Sequence, residues 1–215
     1  MPLGFFRLLS GGDAPVHLSQ GAWRAAYVQI GAARIGPGDA VLQAGQGLAL
    51  GREATTCTPT APGTRLWIWE WAASKPAALP GGTDPALAYE LGRYQDEPDD
   101  IAILRMEQVA LHPGAQTARH THAGCGLRVL VAGHIDAEIG ARHLSLQPGD
   151  SWLERGPDEP VIGRAGPEGA VFVRVMVLAD GMQGQDSYRA WGDDDDKRRG
   201  RPASYAQFFE EKVTL

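Results

Sequence analysis

The chain has 215 residues, 43% of them hydrophobic, enough for one large domain or two small ones with a real core. A formal charge of -6 argues against a nucleic-acid binder, which normally shows a basic face, and disfavours anionic membrane surfaces. The 28 glycines and 15 prolines, with no apolar run near the roughly 20 residues of a membrane span, point to an all-β protein of short strands and tight turns.

The first ten residues lack the basic start and apolar length of a signal peptide. Strands are predicted at 22–30 and at 65–71, where a period of two puts Trp67, Trp69 and Trp71 on one face and Leu66, Ile68 and Glu70 on the other. The tryptophan row suits core packing first, a dimer interface second and ligand contact third. Residues 74–84, rich in Pro, Gly and Ala, read as a linker. Thr83-Asp84-Pro85 can cap a short helix carrying Leu87, Leu91 and Tyr94. Further strands are predicted at 106–111, 127–139 and 171–178. Strict alternation over 127–139 places Leu127, Val129, Val131, Ile135, Ala137 and Ile139 on one face and Arg128, His134, Asp136 and Glu138 on the other. The run 193–201 switches from four aspartates to basic residues and reads as a solvated loop. Pro202 can start a last helix with Tyr205, Phe208, Phe209 and Val213.

An internal repeat supplies the domain plan. Residues 35–45 resemble 146–156 at a constant offset of 111 (37 to 148, 42 to 153, 45 to 156), and each copy precedes a strong strand. The organisation expected is a β-lobe at 1–75, a linker at 76–100, a second lobe at 101–180 and a tail at 181–215.

Five of the six histidines fall between His112 and His143. His120 and His122, two positions apart on a strand, face the same way and can share one divalent metal. Gly114, five residues, His120-Thr121-His122 and then Gly133 resemble the first motif of the cupin superfamily, and Pro148-Gly149-Asp150 resembles the opening of its second motif. The resemblance covers roughly 101–178 and extends through the repeat to a degenerate copy at 20–72. It implies a bicupin: two jelly-roll β-barrels with few short helices, a divalent ion (iron, manganese, nickel or zinc) in the catalytic members, and a homodimer formed through apolar sheet faces.

The chain departs from that pattern in three places. The family's glutamate falls at Gly126, no histidine follows in 150–165, and the N-terminal copy has no His-x-His. Glu159 is the first candidate to complete a His120/His122 site and Glu154 the second; two histidines and a carboxylate form a facial triad suited to Fe(II). Arg128 reads either as a clamp for an anionic substrate or as an ion-pair partner of Asp136, Glu138 or Glu154. His134 reads as a substitute ligand or catalytic group, or as a solvent-facing residue. Cys125 is a soft ligand or a small buried residue; with no CxxC or zinc spacing, Cys57 and Cys125 suit reduced thiols in a cytoplasmic protein. Three functions follow: a metal-dependent dioxygenase acting on a small organic molecule, a non-catalytic small-molecule or metal-binding sensor, and a metal-free isomerase with histidine as base.

Overall fold

The computed structural model describes residues 2–36, 40–72, 85–92, 101–192 and 203–214. It divides into two units, Met1–Asp99 with Leu215 and Asp100–Thr214. The first contains β1 (Pro2–Gly11), β2 (Val16–Leu18), β3 (Trp23–Ile30), β4 (Ala32–Ile35), β5 (Val41–Gln43), β6 (Gly47–Gly51), β7 (Thr55–Pro59), β8 (Arg65–Ala72) and β9 (Pro85–Gly92). The second contains β10 (Ile101–Leu111), β11 (His120–His122), β12 (Cys125–Ile139), β13 (Arg142–Leu146), β14 (Ser151–Glu154), β15 (Val161–Ala179), β16 (Tyr188–Ala190) and β17 (Ala203–Thr214). One 3-10 turn at Asp180–Met182 is the only helical element among the described residues, and no helix among them is long and apolar enough to cross a membrane.

The two units share one strand plan. The first has the sheet order β6-β3-β8-β1-β9 beside β2-β7-β4-β5. The second runs β13-β12-β15-β10-β17, with β14 on β12, β11 on β15 and β16 on β11. Here β12 takes the place of β3 and β4 together, and β15 that of β7 and β8. The break between β3 and β4 is Gly31, and the matching bend in β12 is Gly133, at φ of 77° and 76°. A Cβ at Gly133 would lie 2.1 Å from the Gly169 carbonyl oxygen and one at Gly31 2.5 Å from Thr64 Oγ1, so only glycine lets these strands cross so closely.

Backbone hydrogen bonds fix the true register of the repeat. Gly45 N–H donates to Val28 O, as Gly149 N–H does to Leu130 O, each at 2.8 Å. Gln46 and Asp150 each close the turn twice, donating the backbone N–H to the carbonyl of the residue three before and accepting that residue's N–H on their own side-chain oxygen. Pro148-Gly149-Asp150 therefore corresponds to Ala44-Gly45-Gln46, an offset of 104 rather than 111. Pro37-Gly38-Asp39, whose letters suggested 111, lies outside the described residues.

Each barrel is filled by its own apolar cluster. In the first, Leu66 and Ile68 of β8 join Leu9, Ala26, Val28 and Cys57, while Trp67, Trp69 and Trp71 are buried on the opposite face. In the second, Leu111, Leu130, Ile135, Ile139, Trp152 and Phe172 pack together. Each large side chain fully buried in this way contributes roughly 1.5–3 kcal/mol. No disulfide joins the buried Cys57 and Cys125.

Both expected helices are strands. Residues 85–92 form β9, inside the stretch read as a linker, and residues 203–214 form β17, inside the expected tail. They are the same element in two copies: β9 pairs with β1 as β17 pairs with β10. Tyr94 and the charged run at 193–201 lie outside the described residues.

Candidate functional site

A row of charge crosses the same three strands in both units. In the first, Arg7 of β1, Glu70 of β8 and Arg24 of β3 stand in register. Both arginines bind the fully buried Glu70 carboxylate, Arg24 at 2.7 Å, and Arg24 also donates to the carbonyls of Ser19 and Glu53. In the second, the equivalent row is Glu107 of β10, Arg174 of β15 and Arg128 of β12. The central anion has become a cation, 104 residues on (70 and 174), beside an arginine at the same offset (24 and 128). Arg174 pairs with Glu107 at 2.7 Å, leaving Arg128 to find another counterion.

That counterion is Glu154 of β14. Arg128 Nη2 lies 2.6 Å from Glu154 Oε2, while Nη1 donates to the Gly126 carbonyl at 2.6 Å. The Nη2–Oε2 contact is electrostatic by distance, without a well-aligned hydrogen bond on either atom. Trp152 Nε1 donates to the other carboxylate oxygen at 3.0 Å. Arg128 is 0% exposed. Burial pulls its guanidinium down from its ordinary value to about 10, against the pull of Glu154, so it stays cationic at neutral pH.

The histidines face this row. Both are buried and share a cavity with Arg128, Glu154 and Arg174. His120 Nδ1 donates to the Ala118 carbonyl at 2.9 Å, which leaves Nε2 as the ring's acceptor, and its ring stacks on Tyr188 at 4.7 Å. Burial holds the His120 imidazole below its ordinary value, opposed by Glu154 and the Ala118 carbonyl. His122 Nε2 lies 3.3 Å from Glu154 Oε2 and 3.4 Å from Arg174 Nη1, and one nitrogen can serve only one of them at a time. Much of the remaining lining is apolar, from one packed cluster: Val109, Leu111, Ile135, Val161 and Phe172. It holds about 50 Å³ on a measure where one water needs roughly 10–15 Å³, so a guest is small.

Two of the expected site residues stand elsewhere. Glu159 does not line the cavity; it accepts from Arg142 at 3.0 Å and from the Arg155 N–H at 2.8 Å. His134 is on the outside, bonded to Asp136 and Ser145. The parity that joined it to Arg128 breaks because β12 changes register between Leu130 and Ala132 and again between Gly133 and Ile135. Arg128, Ile135 and Ala137 thus share the inner face. The structure also brings in Arg174, Trp152 and Tyr188, which sequence reasoning missed; Arg174 alone left a trace, as the single charge in the apolar run 171–178.

These residues do not fit a divalent metal. Among the described residues no three His, Cys, Asp or Glu side chains are grouped to hold one. Both oxygens of Glu154 are engaged by Trp152 and Arg128, and two guanidinium groups flank the histidines.

No family model and no curated protein sequence matches the chain. Solved structures do. A cupin 2 conserved barrel domain protein from Leptotrichia buccalis matches with a TM-score of 0.52 and 16% identity, over 82% of this chain and 85% of that one. AerE from Microcystis aeruginosa matches at 0.55 and 12%, over 80% and 87%. A salicylate 1,2-dioxygenase from Pseudaminobacter salicylatoxidans matches at 0.54 and 13%, over 85% and 73%. At these identities the likeness is one of fold.

Proposed function

The chain has the cupin fold, and we propose that its C-terminal barrel binds a small polar organic molecule without a resident metal. The carrying observation is the mixed lining of the cavity. His120, His122 and Arg174 offer acceptors and donors, and Val109, Leu111 and Phe172 offer an apolar wall. A metal-dependent oxygenase, suggested by His-x-His and by the likeness to a salicylate dioxygenase, needs a carboxylate that Arg128 already engages.

Thermal-shift and calorimetric screening of small carboxylic acids, amides and alcohols in excess chelator tests this. Binding in chelator that His120→Asn weakens at least tenfold supports it. Binding or oxygen uptake that appears only after iron, manganese, nickel or zinc is added overturns it.

A second reading, proton transfer on the bound molecule, is favoured by His120. Its Nδ1 is fixed by a carbonyl, its Nε2 carries the lone pair, and burial keeps the ring neutral, as a general base requires. Tyr188, stacked on the ring, holds its plane. Exchange of a substrate C–H proton in D₂O, lost in His120→Asn, is the result expected; no exchange with a ligand that binds removes the catalytic reading and leaves the binding one.

A further inference from the structure

We infer that the Arg128 guanidinium holds the place of a metal ion in this barrel, as a cation tethered to the chain. The inference rests on the metal-independent reading above and adds where the positive charge sits and why.

Three observations carry it. First, a Cβ at Gly126 would lie 2.9 Å from Arg128 Nη1 and 3.4 Å from Cζ. The guanidinium fills the space into which any side chain at 126 would project, and 126 is the position where the motif resemblance calls for a glutamate. Second, Arg128 lines the same cavity as His120 and His122 and pairs with Glu154, the nearest carboxylate to His122 that the ion pairs show. A buried cation paired with a carboxylate, in a cavity it shares with two imidazoles, is the charge arrangement of a metal centre, here met by a side chain. Third, the arginine belongs to the strand row itself. Arg24, at the same position in the first unit, is also buried and paired with a carboxylate, where no histidine pair stands. The row supplied a guanidinium to both barrels, and in the second the absence of a side chain at Gly126 leaves room for it in the cavity that the histidines also line.

The chemistry differs from a metal's in one respect. A guanidinium gives directed N–H donors and accepts no lone pair into a coordination shell. The oxygen of a guest can hydrogen-bond to it but not ligate it.

The test is elemental analysis and thermal unfolding of wild type beside Gly126→Glu/Arg128→Ala. Wild type is expected to carry only trace metal and to show no rise in Tm with added manganese, nickel or zinc. The double variant removes the internal cation and restores a carboxylate, so it is expected to unfold at lower temperature in chelator, to recover on metal addition with near-stoichiometric uptake, and to lose that uptake when His120→Ala is added. A folded double variant that takes up no metal overturns the inference and leaves the binding proposal standing. Should the double variant not fold, wild type decides alone: near-stoichiometric metal in it, lost in His120→Ala/His122→Ala, overturns both.

Discussion

Replacing Glu154 by Gln removes the charge opposite a fully buried guanidinium while keeping an oxygen for the Trp152 indole, so the variant isolates the ion pair. Burial already lowers Arg128 from 12.5 to about 10 with Glu154 in place. At about 1.4 kcal/mol per pH unit, that is roughly 3 kcal/mol held against the charged form. Removing the group that opposes this deepens the cost, and stripping one partner from a buried pair typically destabilises by about 3–5 kcal/mol. For a chain of this length that lowers Tm by roughly 6–20 °C. Urea unfolding at pH 7.5, followed by circular dichroism, gives the number. The control is Arg128→Met/Glu154→Gln: with both charges gone, most of the loss is recovered, because a neutral core of similar volume carries no desolvation penalty. A single variant within about 0.5 kcal/mol of wild type refutes the reasoning. So does a double variant as unstable as the two single losses combined, since independent sites add and coupled ones do not.

Other outcomes follow from the same geometry. The folded chain resists protonating His120, so the unfolded chain binds that proton first as pH falls; stability is full above about pH 6.5 and declines below it. His120→Asn flattens this decline by up to about 1.4 kcal/mol per pH unit, measured by urea unfolding at pH 7.5, 6.5 and 5.5, and an unchanged slope counts against a buried neutral imidazole. Glu159→Ala costs about 0.5–1.5 kcal/mol through its bond to the Arg155 N–H and leaves ligand affinity unchanged, checked by calorimetry. Gly133→Ala forces a side chain into the Gly169 carbonyl at positive φ and destabilises by at least roughly 1–3 kcal/mol, seen as loss of soluble yield or a lowered Tm. The homodimer we propose from the apolar sheet faces is checked by light scattering at micromolar concentration, where a mass near 23.0 kDa refutes it.

Much of the fold was legible because interior strands obey a period of two. The strands at 22–30, 65–71 and 127–139 end within two residues of β3, β8 and β12. The closing strands were not legible. β17 alternates poorly, with most of its side chains exposed or half-buried, and its aromatics at 205, 208 and 209 mimic helical spacing. The repeat was real but its letters misled: a Pro-Gly-Asp turn recurs by turn chemistry, whereas the register is set by Gly45 and Gly149 donating to matching carbonyls. At the site, His120, His122, Arg128 and Glu154 could be named because they lie within 35 residues of sequence, on β11, β12 and β14. Glu107 and Arg174 could not, because only the pairing of β15 with β12 and β10 sets them beside the others. His134 was misplaced by two register changes in β12 that no spacing rule announces.

The charge row has a consequence for the guest. Glu107, Arg174, Arg128 and Glu154 carry two positive and two negative charges, so the row that backs the cavity is neutral as built. A neutral guest can enter without disturbing that balance. An anion arrives with a charge that none of the four can match, and the two imidazoles of the cavity, His120 and His122, are the groups able to take up a proton in answer, though burial makes His120 reluctant. Anion affinity should then rise as pH falls, with proton uptake measurable as a dependence of binding heat on the ionisation enthalpy of the buffer, while neutral analogues bind with the same heat in every buffer.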